Sequence, residues 1–178
     1  MGGSVPGTSY TGTASPGAAQ FDSAVITRFD DVSRRAALAY KLDRGRPVRS
    51  DIAQPSLTAG TGVLSTVRDL ARFDIALGSG AIIAEQSLAA SWTQAVSQGG
   101  ALPTGIGWFV RNYKGEPLIW QFGLIRDGHS ALVLKLPGRK LTFIALANSD
   151  AMTAGYNLSN GDVTASPFAK LFLDFFVP

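Results

Sequence analysis

Asp127, His129 and Ser130 fall within one short stretch, and an acid, an imidazole and a hydroxyl are the groups from which a triad hydrolase is built. His129 is also the single histidine of the chain. The spacing argues against a triad. "HSALVLKLP" reads as a turn running into a strand, where neighbouring side chains point to opposite faces, so His129 and Ser130 cannot readily share a proton. A nucleophile elbow needs Gly-x-Ser-x-Gly between a strand and a helix, and Leu132 stands where the second glycine belongs. The expected role of the cluster is a surface turn.

Other chemistries are excluded by composition. The absence of cysteine removes disulfides, thiolate metal sites and Cys nucleophiles, and one histidine removes a multi-histidine metal centre. No cofactor is implied. Gly60 and Gly62 in "AGTGVLS" lack the Gly-Lys-Ser/Thr of a phosphate loop and read as a bend before a helix. Asp30 and Asp31 are adjacent on a polar stretch and read as solvated. A net charge of +3, spread along the chain, does not suggest a nucleic-acid partner.

The elements that must position any site follow from patterning. At 46% hydrophobic and 16% charged residues, 178 residues make a globular chain with a sizeable core. Residues 1–20, rich in Gly, Ser, Thr and Pro, read as an extended or mobile lead-in, and 21–178 as one domain part. No basic segment followed by an apolar core marks a signal peptide, and no apolar run approaches the ~18 residues of a membrane span. A short helical patch follows Phe21, then a strand, a turn at Asp43–Gly45 and a second strand.

The clearest helix begins after Thr66, which can cap it with Asp69 reaching back. Val67, Leu70, Phe73 and Leu77 form its apolar face, and Gly78 takes the C-terminal glycine place. A second helix spans about Ala84–Gln94. Two hairpins follow, one turning within Asn112–Pro117 and one at Pro137–Gly138–Arg139. Ser166 and Pro167 open a last helix, with Phe168, Leu171, Phe172 and Phe175 facing the sheet. The expectation is an α+β fold: an antiparallel sheet, preceding helices and a C-terminal helix packed on it.

Several of these segments, in order, resemble the C-terminal half of serine β-lactamase-like proteins: "TAGTGVLSTVRDLARFDIAL", "GIGWFV", then "WQFG" with "HSALVLKLP" and "RKLTFIALANSD". That superfamily contains class C β-lactamases, penicillin-binding DD-peptidases and esterases. The resemblance implies a partial β-lactamase/transpeptidase-like domain, and "MGGSVPG" is similar to a family segment that would place Met1 inside that domain. It further implies a periplasmic or secreted setting, and a small-molecule or peptide substrate in the full-length protein.

The family's acyl transfer uses Ser-x-x-Lys, Tyr-x-Asn or Ser-x-Asn, and Lys-Thr-Gly or a His-containing equivalent on an edge strand. None of the sixteen serines has Lys three residues on; Ser65 has Arg68, which cannot serve as a neutral base. No Tyr-x-Asn or Ser-x-Asn occurs either. The catalytic set is therefore none within this chain, and the expectation is that it is inactive alone, its partner being the missing N-terminal half of the domain.

The third motif falls at Gln121–Phe122–Gly123. Gln stands for the family's Lys or His, Phe for its Thr or Ser, and Gly123 is kept. The resemblance makes Gln121, Gly123 and the Leu124 N–H the substrate and oxyanion candidates. Without the resemblance, the same residues read as an ordinary strand whose glycine allows close backbone approach. Alternation puts Ile119, Gln121 and Gly123 on one face, and Leu118, Trp120 and Phe122 beneath the last helix. A non-catalytic binding or scaffold module is the alternative function, and self-association through an exposed apolar face is expected.

Overall fold

The structure, a computed structural model, describes residues 22–52, 57 and 63–178. The expected lead-in at 1–20 and the Gly60–Gly62 bend lie outside the described residues.

Asp22 caps α1 (Ser23–Ser33) by accepting from the Ala24 N–H at 2.7 Å. Two short strands follow, β1 (Tyr40–Asp43) and β2 (Arg46–Arg49), joined through Arg44 and Gly45, both at positive φ. Thr66 caps α2 (Val67–Gly78) by accepting from the Asp69 N–H at 3.2 Å. The Asp69 carboxylate in turn accepts from the Thr66 hydroxyl rather than its amide. The left-handed glycine at this end is Gly80, φ 76°; Gly78 is still helical, which corrects its expected role. α3 (Glu85–Ser91) and the short pair β3 (Val96–Ser97) and β4 (Gly100–Ala101), unforeseen in the sequence, complete the first half.

The second half is a four-stranded antiparallel meander: β5 (Phe109–Tyr113), β6 (Glu116–Ile125), β7 (His129–Leu136) and β8 (Leu141–Ala147). Lys114 and Gly115, at φ 49° and 83°, supply the two positive-φ positions that a tight hairpin between β5 and β6 requires. Short 3₁₀ turns at Asp150–Met152, Leu158–Asn160 and Val163–Ala165 lead to α4 (Pro167–Phe176), capped by Ser166.

Leu118 and Trp120 of β6, Leu132, Leu134 and Leu136 of β7, and Ala169 and Leu173 of α4 form the core on one face of the sheet. Phe109 stacks on Trp120 with ring centroids 4.2 Å apart. The expected packing face of α4 is corrected: Leu171 is 61% and Phe175 75% exposed, while Ala169 and Leu173 are fully buried. Phe172 alone of the expected set reaches the sheet, against Phe143. The helix carries apolar residues all round, so periodicity could not choose its inner face. α2 lies on the opposite face, where Leu77 is buried but Val67 and Phe73 of the expected apolar set stay about half exposed. The fold is α+β, with helices on both faces of the sheet. No described helix is long and apolar enough to cross a membrane.

Candidate functional site

β5 and β6 pair only as far as Phe109 opposite Trp120. Beyond that point, Gln121–Ile125 of β6 continue to pair with β7 but, among the described residues, have no strand on the other side. This free edge is where the sequence placed its candidates. Its two faces are as expected, with Leu118 and Trp120 in the core and Gln121 and Gly123 on the α2 side, Gln121 half-buried.

Residues of an antiparallel strand alternate between bonding one neighbour and the other. The Phe122 N–H bonds the Gln121 Oε1 at 3.0 Å, away from β7, so the Leu124 N–H leaves β6 on the same open side. Gly123 lies between them. Its carbonyl accepts from the Thr153 hydroxyl at 3.2 Å, and a Cβ built on it would meet only the Ala131 Cβ, at an ordinary 3.5 Å. Packing among the described residues does not require glycine here, contrary to the close-approach reading.

The Gln121 amide bonds within the chain at both ends: one Nε2 N–H donates to the Gly107 carbonyl at 2.9 Å while its Oε1 takes the Phe122 N–H. Gly107 belongs to a turn in which the Gly105 N–H bonds the Trp108 carbonyl at 2.8 Å and the Ile106 N–H bonds the Ser91 carbonyl at 2.9 Å. A second glutamine, Gln94, donates to the Leu102 and Val110 carbonyls, both at 3.0 Å, and fixes the start of this segment. The sequence gives no pattern for these two amides, because the contacts join residues many positions apart through backbone carbonyls.

The Asp127, His129 and Ser130 cluster is dispersed. His129 Nε2 approaches the Ala37 carbonyl at 3.1 Å, whereas the Ser130 hydroxyl donates to the Ser149 carbonyl on the other side of β7. Asp127 is a left-handed turn residue at φ 55°, its N–H bonded to the Asp150 carboxylate. His129 instead borders a cleft of about 260 Å³ shared with Arg34, Arg49 and Asp51. Among the described residues no group of His, Asp or Glu side chains is placed to hold a metal.

The sequence reading missed an ion pair behind the edge. Lys135 of β7 meets Asp74 of α2, whose other oxygen accepts from the Thr142 hydroxyl at 2.8 Å, and the Trp92 ring lies 5.7 Å from the ammonium. The side chains are 7% and 19% exposed, and burial pushes the Lys135 ammonium down to about 8. A usable signal existed: Asp74 lies between Leu70 and Leu77 on the inward face of α2, and Lys135 is the lone charge in an apolar strand.

The α+β layout, an antiparallel sheet with helices on both faces, fits a partial β-lactamase/transpeptidase-like domain. The family model described as Beta-lactamase matches residues 21–161, and the chain belongs to that family. No curated protein and no solved structure matches it.

Proposed function

We propose that this chain forms one wall of the active-site cleft of a serine β-lactamase-like hydrolase, with acyl transfer carried out by the whole protein. The observation that carries this reading is the open edge at Gln121–Ile125, whose Leu124 N–H has no acceptor among the described residues. An outward backbone N–H beside a small residue is what a developing oxyanion needs, and Gly123 is the small residue next to Leu124. The nucleophile and the base come from a complementary Ser-x-x-Lys segment, since none of the serines here has that spacing. The substrate is a small molecule or peptide carrying an acyl group. Without a Lys or a hydroxyl at positions 121 and 122, esterase or peptidase chemistry fits better than efficient β-lactam turnover.

Exposed apolar residues on α2, among them Phe73 and Ile75, and on α4, among them Leu171 and Phe175, support the same reading. They are surfaces for the complementary part of the domain or, in its absence, for a second copy.

The test is active-site labelling with a fluorophosphonate and a fluorescent penicillin. The chain alone is expected to take no adduct, and the whole gene product one adduct on a serine outside these residues. An adduct on a serine of residues 1–178 would sink the proposal. A specific observation favours a second reading, a non-catalytic binding or scaffold module: both ends of the Gln121 amide are already occupied. A whole gene product that takes no label but still binds the penicillin reversibly decides for it.

A further inference from the structure

The side chain at the position that matches the family's cation is tied into the chain at both ends of its amide. Gln121 places one amide N–H on the Gly107 carbonyl and its Oε1 on the Phe122 N–H, at 2.9 and 3.0 Å. Those two partners lie on different segments. One is the turn Gly105–Trp108, which leaves the sheet just before β5; the other is the first outward amide of β6 past the last residue that β5 pairs. The turn is held from behind as well. Gly105 sits so close to the end of α3 that a Cβ on it would lie 2.2 Å from the Ser91 carbonyl oxygen.

We propose that Gln121 is a clasp rather than a ligand: it ties the Gly105–Trp108 turn to the free edge of β6 and fills that edge at Phe122. The clasp acts as an autoinhibitory contact. A ligand that adds to the edge as an extended strand must take over the Phe122 N–H, and so must first displace Oε1; on release, Nε2 loses the geometry that holds Gly107. Opening of the edge and loosening of the turn are therefore one event. The contact itself rests on the geometry above, whatever chemistry the whole protein performs; its autoinhibitory meaning rests on the edge being the cleft wall.

The two ends of the amide can be separated by substitution. Gln121→Glu keeps an acceptor for the Phe122 N–H and removes the donor to Gly107; Gln121→Met removes both at similar size. Amide hydrogen exchange on the whole chain, normalised to the Leu132 and Leu134 amides, reads the two sites independently. In Gln121→Met, exchange at Phe122 and at Gly105 and Ile106 is expected to rise about three- to ten-fold, the scale of one lost hydrogen bond. In Gln121→Glu, Gly105 and Ile106 speed up while Phe122 stays protected. Equal changes at all sites in both variants, or no change at Phe122 in Gln121→Met, would overturn the proposal. Should a variant fail to fold, the unaltered chain still decides: an NOE from the Gln121 side-chain amide protons to Gly107 is expected, and its absence overturns the clasp.

Discussion

Removing Asp74 would strand a lysine. The Lys135 side chain is 7% exposed, lies over the Trp92 ring and has Asp74 as its anionic partner. Replacing Asp74 with Ala leaves that ammonium in place with little water to solvate it, a change that costs about 3–5 kcal/mol at comparable sites. Lys135→Met is milder, at about 1–3 kcal/mol, because the carboxylate it leaves behind is more exposed and keeps the Thr142 hydroxyl. The double replacement Asp74→Leu with Lys135→Met removes both charges and refills the volume, so it should fall within about 1 kcal/mol of the parent. The two single costs then fail to add, with a coupling of roughly 3 kcal/mol or more. Urea denaturation with an unchanged slope measures all three variants. Costs that sum simply to that of the double variant would show that the pair does not hold α2 on the sheet.

The same lysine sets a pH dependence. Its folded pKa of about 8 lies below the ordinary lysine value of 10.5, so between these values the unfolded chain binds more protons and stability rises with pH. That gain is complete above 10.5 and is lost as pH falls through 8; the difference between the parent and Lys135→Met should climb by up to about 3 kcal/mol across this window, and a flat difference refutes it. Trp120→Ala should cost about 3–5 kcal/mol, since the ring is fully buried and stacked on Phe109, whereas Gln121→Ala should cost about 1 kcal/mol; the reverse order in denaturation would undo the assignment of the two faces of β6. Gly105→Ala places a Cβ 2.2 Å from the Ser91 carbonyl oxygen, and a loss of about 1–3 kcal/mol is expected; a thermal midpoint equal to that of the parent would contradict the contact.

Local rules carried the sequence reading a long way. Thr66 and Ser166 cap the helices they were expected to cap, and the β5–β6 and β7–β8 turns fall where glycine and proline stand. What failed was the choice among equally apolar faces. Phe168, Leu171 and Phe175 are as hydrophobic as Ala169 and Leu173, and only the sheet's shape decides which set is buried. At the candidate site, alternation correctly sent Gln121 and Trp120 to opposite faces of β6. The partners of the Gln121 amide were not legible, because backbone carbonyls carry no sequence signature. Lys135 and Asp74 lie 61 positions apart, so their pairing depends on how α2 crosses the sheet.

The β1–β2 hairpin is joined to the sheet by polar ties rather than by shared core. The Tyr40 N–H bonds the Asn148 carbonyl at 2.8 Å, the Asn148 side chain returns a bond to the Leu38 carbonyl at 2.9 Å, and His129 reaches Ala37. No residue of α1, β1 or β2 belongs to the main apolar cluster. Cooperativity follows buried apolar contact, so the molecule should melt in two tiers. The segment from α1 through β2 can detach and re-form while the β5–β8 meander stays intact, behaving as a hinged flap whose hydrogen bonds open at far lower free energy than those of Leu132 or Leu134.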